Sequence, residues 1–527
     1  MRILLITGRL AGNIVRNAVE SIPSKYKEKH IIEIMILPID VIALASSKTI
    51  AYYLKKKGVK KGDYDLIIIP GQVKGSAIEI TNAIGIPAVK GPKQAIDIPI
   101  MFAIDLNKLS PDEPADKIID QYRKEYLFNI LKNVEENIKK KPHINIGRIL
   151  VPVNPPPIRV IAEISNTLTM SRDILLDKIK TYLDNGANII SLGFEPFNPN
   201  PDKVYETIKY IKKESINIPI AIDTLSPSEI ISGINAGADL ILSITVDNVA
   251  KIKNYIKDIA VVAIPIIDNT LPRDHDLRLQ VLFRIVDTLH NYTEKIIADP
   301  ILDPPGRGTL FKSMQNYMKF KQIHPNTPLL MGIGNVTELI DADSVGINVL
   351  LTLLAQELGV SLLLVTEEST KTQGSVRETA IASQMNTISW VKHVPPKDLG
   401  IDLLILKDKK KTETPFDITR DTKVVDLRKA SYTDEKTEID PMGFFKIRIN
   451  YSEQAVEAFY VGRKGRILIK SRSSKSIERY ILENKLISTL SHAFYLGGEL
   501  AKAEEALRIN KNYVQGKPLF SLKKPIR

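Results

Sequence analysis

Between Arg159 and about Lys392 the chain alternates short β-branched apolar runs with longer amphipathic stretches, and it does so eight times. The apolar runs are RVIAEISN (159–166), NIISLGF (188–194), IPIAIDT (218–224), LILSIT (240–245), AVVAIPII (260–267), KIIADPI (295–301), PLLMGIG (328–334) and VSLLLVTE (360–367). Each has the length of a strand, and near-continuous Ile, Val and Leu is what a parallel strand covered on both faces requires. Amphipathic helices fit between them, the clearest being DLRLQVLFRIVDTLHNY, GTLFKSMQNYMKFKQIH and SVGINVLLTLLAQELG. Eight β-then-α units of this size predict a closed (β/α)8 barrel (a TIM barrel), whose chemistry lies on the loops at the carboxyl ends of its strands.

The flanks have other rhythms. Residues 1–145 open with the strand RILLITG and a helical LAGNIVRNAVESI, then predict strands at HIIEIMILPI, DYDLIIIPG and IPIMFAID. This is a small open α/β sheet with parallel strands, Rossmann- or flavodoxin-like. Gly8, Gly12, Gly71 and Gly75 follow strands, but their spacing is not GxGxxG, so tight turns are the better reading. A mixed-charge helix ending near KKKPHINIG leads to VPVNPPPIRV, and HVPPKDLG (393–400) makes a second break. The expected domains are therefore 1–145, the barrel at 146–395, and an α+β domain at 396–527. The last should carry strands around LLILK, KVVDL, FFKIRIN and GRILIK and a helical tail from SIERYILE to EEALRI.

Composition narrows the class. The length of 527 residues exceeds one domain, and 44% hydrophobic with 25% charged residues suits a globular protein. No apolar run reaches the roughly 18–20 residues that span a bilayer, and MRILLITGRLAG reads as a first strand, not a signal peptide. The absence of cysteine excludes disulfides, thiolate metal sites and a Cys nucleophile. A cytoplasmic protein is expected. The net charge is +12, and residues 401–527 hold 26 Lys and Arg against 17 Asp and Glu, which is +9 of it. VGRKGRILIKSRSSK (461–475) is basic throughout, yet no aromatics alternate with its charges, which disfavours a nucleic-acid groove.

Polar residues gather at the predicted strand ends: Glu163 and Asn166, Glu195, Asp223 and Thr224, Ser243 and Thr245, Asp299, Asn335, and Glu367. A single one would read as a helix cap; several converging on one mouth read as a site. The seven histidines are scattered without ligand spacing, so no protein-built metal site is expected, and no Ser-His-Asp arrangement can be drawn. RDHD around His275 reads as a cap and turn. Carboxylates at the mouth suit a flat heterocycle rich in N–H donors, because one carboxylate accepts two parallel hydrogen bonds.

ISNTLTMSRD, ANIISLGFE, IPIAIDT, AGADLILSI and IIADP occur in the order found in pterin-binding barrels, and over about 240 residues the chain resembles dihydropteroate synthase. Specifically, it is similar to the archaeal dihydropteroate synthase-related family. The resemblance implies a barrel of the pterin-binding type, with Asp223 and Asp299 taking the pterin ring and Ser243 beside them. Asn166 then matches the residue near the diphosphate and its magnesium, and Glu195 the acid of the glycine-glycine-glutamate turn; these two are the candidate catalytic residues. The synthases' serine-arginine-lysine loop is replaced by GIGNVTE, and their final arginine and histidine by VTEES. Arg307 and Lys312 are the candidate substitutes for phosphate binding, with Arg377 a further cation. GIGNVTELIDADS also looks like the loop of pterin-binding methyltransferases, which gives Asn335 a place near the pterin nitrogen. DPMGFFKI and STLSHAFYLGGELAKAEEAL resemble a corrinoid methyltransferase subunit, with His492 a candidate contact to cobalt, although the cobalamin-binding signature is absent.

The leading expectation is a transferase condensing a dihydropterin diphosphate with an arylamine of the p-aminobenzoate type, in folate- or tetrahydromethanopterin-type cofactor synthesis. The alternatives are methyl transfer between a tetrahydropterin and a corrinoid or other carrier, and pterin binding without catalysis. A reduced pterin is the expected substrate or cofactor, with Mg²⁺ a candidate for the first reaction and a corrinoid only for the second. Expected partners are the pterin and the arylamine; barrels of this kind also suit a homodimer.

Overall fold

The computed structural model describes residues 1–195, 198–214, 216–408, 422–425, 427–428 and 440–520. The chain divides into two compact units, Met1–Lys409 and Lys410–Arg527. The first begins with four parallel strands, β1 (Arg2–Thr7), β2 (Ile31–Ile36), β3 (Leu66–Ile69) and β4 (Ala88–Lys90), in the order β2-β1-β3-β4. Alternation along β1 sends Ile3 and Leu5 to one face, against the helix Gly12–Glu20, and Leu4 and Ile6 to the other, against the helix Ser47–Lys56. The chain leaves β1 on one side for β2 and returns on the other for β3, so the winding direction reverses between β1 and β3.

The expected strand IPIMFAID is instead a short helix, Ile98–Met101, and the fourth strand is the three-residue AVK at Ala88–Lys90. Pro99 lacks an N–H and sits in the first helical turn, where none is needed. Ile98, Ile100, Met101 and Phe102 are all buried, and periodicity cannot separate so short an apolar run from a strand.

A hairpin of β5 (His143–Ile146) and β6 (Ile149–Pro152), turning through Gly147 at φ +52°, precedes the barrel. The eight expected strands then form the barrel: β7 (Arg159–Ile164), β8 (Ile189–Gly193), β9 (Ile220–Asp223), β10 (Leu240–Ile244), β11 (Ala260–Ala263), β12 (Ile296–Ala298), β13 (Leu329–Gly332) and β14 (Val360–Thr366). All pairings are parallel, and β14 closes on β7 with Leu362 opposite Arg159. One parity, including Val160, Ile190 and Ile222, packs outward under the helices. The other, including Ile161, Ile189, Ala221, Leu240, Ile297 and Leu362, fills the bore and packs on Ile146 and Val151 of the hairpin. The hairpin therefore plugs the amino-terminal end of the bore. Fully burying an aliphatic side chain contributes about 1.5–3 kcal/mol, so the plug stabilises the barrel as well as closing it.

The second unit is an antiparallel sheet of β15 (Gly443–Asn450), β16 (Ala455–Gly462) and β17 (Gly465–Ser471) with helices Ser474–Glu483 and Leu490–Arg508 on one face. FFKIRIN and GRILIK are strands. LLILK (403–407) is not, and the described residues of KVVDL carry no strand, while its Asp426 lies outside the described residues. Leu404, Ile405 and Leu406 are all about half exposed and pair with no strand among the described residues. The strand β16 was not among those expected; its inner face supplies Val456, Ala458 and Tyr460 to the core. No helix among the described residues is long and apolar enough to cross a membrane.

Candidate functional site

The bore parity decides which side chains face the mouth. Continuing the inward positions upward from the plugged end gives Glu163 on β7, Ser191 and Gly193 on β8, Asp223 on β9, Asp299 just beyond β12, and Thr366 on β14. Gly193 stands opposite Asp223 in register, and a Cβ there would lie 3.2 Å from Glu163 Oε1. Its missing side chain leaves the space between the two carboxylates open.

The Asp223 carboxyl has no hydrogen-bond partner among the described residues, while its backbone carbonyl accepts from the Phe194 amide at 3.2 Å. Burial, reinforced by the Glu163 carboxylate, pushes its pKa up to about 8. Burial likewise raises Glu163, against one long hydrogen bond from the Ser165 hydroxyl at 3.4 Å. The hydroxyls of Ser191 and Thr366, also on the bore parity, are buried without a partner among the described residues. Such groups await water or a ligand.

Asp299 is held differently. Its Oδ1 accepts from the Tyr317 hydroxyl at 2.6 Å and from the Ile301 amide at 2.8 Å. Burial still raises it, to about 6, with these hydrogen bonds working against the rise. The loop after Asp299 is fixed by the buried Arg278, whose Nη1 donates to Asp303 Oδ1 at 2.8 Å. His275 Nε2 lies 3.4 Å from Asp303 Oδ2, and its Nδ1 is buried without a partner among the described residues. Burial lowers the His275 pKa, and Arg278 and Lys312 add to that. Asn335 joins the same loop by donating from Nδ2 to the Leu302 carbonyl at 2.9 Å. Its Oδ1 is left free among the described residues on an exposed side chain.

The other sequence candidates divide. Ser243 is buried at the end of β10, where Asn248 Nδ2 donates to its carbonyl at 3.1 Å. Thr245 caps the following turn, accepting from Asp247 and Asn248, and Thr224 donates to the buried Glu229 at 2.5 Å; both are structural. Glu367 accepts from the Val376 amide at 2.9 Å and so caps the helix Ser375–Lys392. Asn166 is exposed in a left-handed turn at φ 50°, its carbonyl engaged by Thr169. Glu195 is exposed two residues beyond Gly193. Arg307 and Lys312 are exposed on the loop and first helical turn after Asp299. His492, in the second unit, lies 3.1 Å from Asp440 through Nδ1. Burial opposes ionisation of Asp440, but hydrogen bonds from Ser488, Met442 and Thr489 outweigh it and hold the carboxyl well below the usual range.

Tyr317, Arg278 and the His275–Asp303 contact escaped sequence reasoning. Helical spacing carried part of the signal: Arg278 shares a stripe with Leu282, Ile285 and Leu289, and Tyr317 with Ser313 and Phe320, all buried. Nothing local shows which acid each would meet.

A family model described as PterinBD-DUF4346 matches residues 439–516. An uncharacterized protein of Methanocaldococcus jannaschii, MJ0107, is 34% identical over 535 aligned positions that cover 99% of each chain. The chain belongs to the dihydropteroate synthase-related, pterin-binding archaeal family. An algal relative, ycf91 of Pyropia yezoensis, is 33% identical over 93 residues, covering 16% of the chain and 79% of its own length. Among solved structures, Yersinia pestis dihydropteroate synthase with a pterine-sulfa conjugate covers 47% of this family member and 99% of itself, at 17% identity and a TM-score of 0.37. The Clostridium difficile enzyme with pteroic acid covers 46% and 97%, at 20% identity and a TM-score of 0.35.

Proposed function

We propose that the protein is a transferase acting on a reduced pterin held in the barrel mouth, with its pyrimidine edge on Asp223 and Asp299. The observation that carries this is the unpartnered Asp223 carboxyl on the bore parity. A group in that state accepts the ring N–H and the amino group as a parallel pair, and each charge-assisted bond is worth about 1.5–3 kcal/mol. Ser191 and Thr366 supply further unfilled hydroxyls in the same bore.

Among the two reactions, methyl transfer asks least of the residues present. The β7 and β14 side of the mouth holds Glu163, Glu367 and Glu368, with Lys178 only 3.4 Å from Glu368 and so already paired. A diphosphate leaving group there would face carboxylates. Mg²⁺ would have to arrive with the diphosphate and bind through one or two of these carboxylates, because no cluster of three or more metal-ligating side chains occurs among the described residues to hold it alone. Asn335, its amide nitrogen tied to the Asp299 loop, presents Oδ1 toward a pterin nitrogen. In the transfer the nitrogen first takes a proton from solvent and donates that N–H to Asn335 Oδ1; the methyl then leaves without its bonding pair, a nucleophilic acceptor supplies the new pair, and the nitrogen keeps the old pair and the proton as a neutral N–H. Condensation with an arylamine is favoured by one observation, the exposed Lys312 close to His275 on the opposite side; Arg278 beside Asp299 is already paired with Asp303.

Calorimetric titration with a dihydropterin diphosphate and with an N5-methyl tetrahydropterin separates the two. Methyl transfer predicts preference for the methylated pterin and at least about tenfold weaker binding in Asn335→Ala. Tight diphosphate binding, lost in Lys312→Ala, would establish condensation instead.

A further inference from the structure

A cleft of the first unit lies outside the barrel. It has a volume of about 480 Å³ and opens at the carboxyl ends of β1, β3 and β4. That is the point where the sheet reverses its winding, and at such points the loops on either side of two adjacent parallel strands diverge and leave a crevice. Its size suits a small molecule.

We infer that this cleft is a second ligand site, independent of the pterin reading, for a planar nitrogen heterocycle carrying a phosphate. The cleft combines an apolar slot with one cationic end. Leu10, Ile14 and Val41 form one wall and are 71, 46 and 45% exposed, an apolar surface left uncovered in a concave place. Pro92, Val394 and Pro395 also line the cleft, the last two contributed by the segment that follows the barrel's final helix. These apolar side chains offer dispersion contact to a flat ring.

The polar groups are placed at the ends. Thr7, the last residue of β1, is 1% exposed and lines the cleft, yet its hydroxyl has no hydrogen-bond partner among the described residues. The helix Gly12–Glu20 starts at the same rim from Ala11, with no side-chain cap. The Gly12 amide donates to the Arg9 carbonyl at 3.3 Å, so the amides after it and the positive end of the dipole are what an anion would meet there. Lys93 is exposed on the rim, and its ammonium forms no ion pair among the described residues. Asp40 stands on the rim too, neutralised by Arg9 at 3.3 Å. Gln72 donates from Nε2 to the Lys93 carbonyl at 2.9 Å, so its Oε1 is directed to accept from a ring amino group. Gly8 and Gly71 are not the phosphate cradle: a Cβ on either would lie within 2.6 Å of a backbone oxygen, so both serve loop packing.

The test is calorimetric titration of the full chain with adenosine monophosphate, flavin mononucleotide and adenosine. Ile14→Trp fills the slot and Lys93→Glu reverses the rim charge, both at exposed positions, with circular dichroism to confirm folding. The inference predicts one-to-one binding of at least one phosphate-bearing probe, weakened at least about tenfold by either substitution. Adenosine should bind more weakly than its phosphate, and Asp223→Asn should change nothing. Absence of saturable binding below about 1 mM, or binding indifferent to Ile14→Trp, would overturn it. Loss of probe binding in Asp223→Asn would also do so, by placing the probe in the barrel mouth.

Discussion

Asp223 is the residue on which the account turns, because its free carboxyl makes stability and binding pull in opposite directions. Its folded pKa is about 8, whereas an unfolded aspartate titrates near about 3.9. Between those values the native state holds a proton that the unfolded state has released, so stability falls as pH rises through the window. Asp223→Asn should therefore be more stable than the parent, with the gain growing between about pH 4 and 8 by up to about 1.4 kcal/mol per pH unit. Denaturant unfolding at several pH values measures it, and a pH-independent difference would mean that the carboxyl is not isolated. Asp299 should behave less sharply, since Tyr317 and Ile301 already hydrogen-bond it. Tyr317→Phe is expected to raise the Asp299 pKa above about 6, to cost about 1 kcal/mol of stability and to weaken pterin binding. An unchanged Asp299 titration, followed by NMR, would contradict that pairing.

At the scale of elements, the barrel was legible because parallel strands buried on both faces leave long β-branched runs, and RVIAEI, IISLG and VSLLLVT all became strands. The same reading fails where a run is short or its partners are distant. IPIM is apolar for packing under the sheet and folds as a helical turn, and AVK is too short to register. The hairpin at β5 and β6 lay inside what reads as a proline-rich linker; its plugging role depends on contacts with strands up to about two hundred residues away. Asp223 and Asp299 could be named from strand ends, but Tyr317 and Arg278 could not be matched to their acids without the fold. Arg159, the first residue of β7, anchors these elements: it is buried and donates two hydrogen bonds, at 2.6 and 2.7 Å, to Glu135 on the helix Asp116–Ile138. Glu135 is half exposed and Arg159 Nε also donates to the Leu150 carbonyl, so Glu135→Ala should cost about 1.5 kcal/mol in chemical denaturation; a loss below about 0.5 kcal/mol would show the pair to be dispensable.

For the whole molecule, two compact units predict two thermal transitions, and a reduced pterin should raise only that of Met1–Lys409. At one hundred times its dissociation constant the ligand adds about 2.7 kcal/mol. Scanning calorimetry that moved the other transition would place the ligand outside the barrel. The most direct test of the barrel-mouth site is calorimetric titration with an N5-methyl tetrahydropterin at pH 6 and pH 8, in buffers of different ionisation enthalpy. Asp223 must surrender its proton to accept the ring's hydrogen bonds. The expected result is one-to-one binding that strengthens with pH and releases close to one proton at pH 6, with both effects lost in Asp223→Asn. Binding that ignores pH and survives the substitution would contradict the assignment of Asp223 to the pterin.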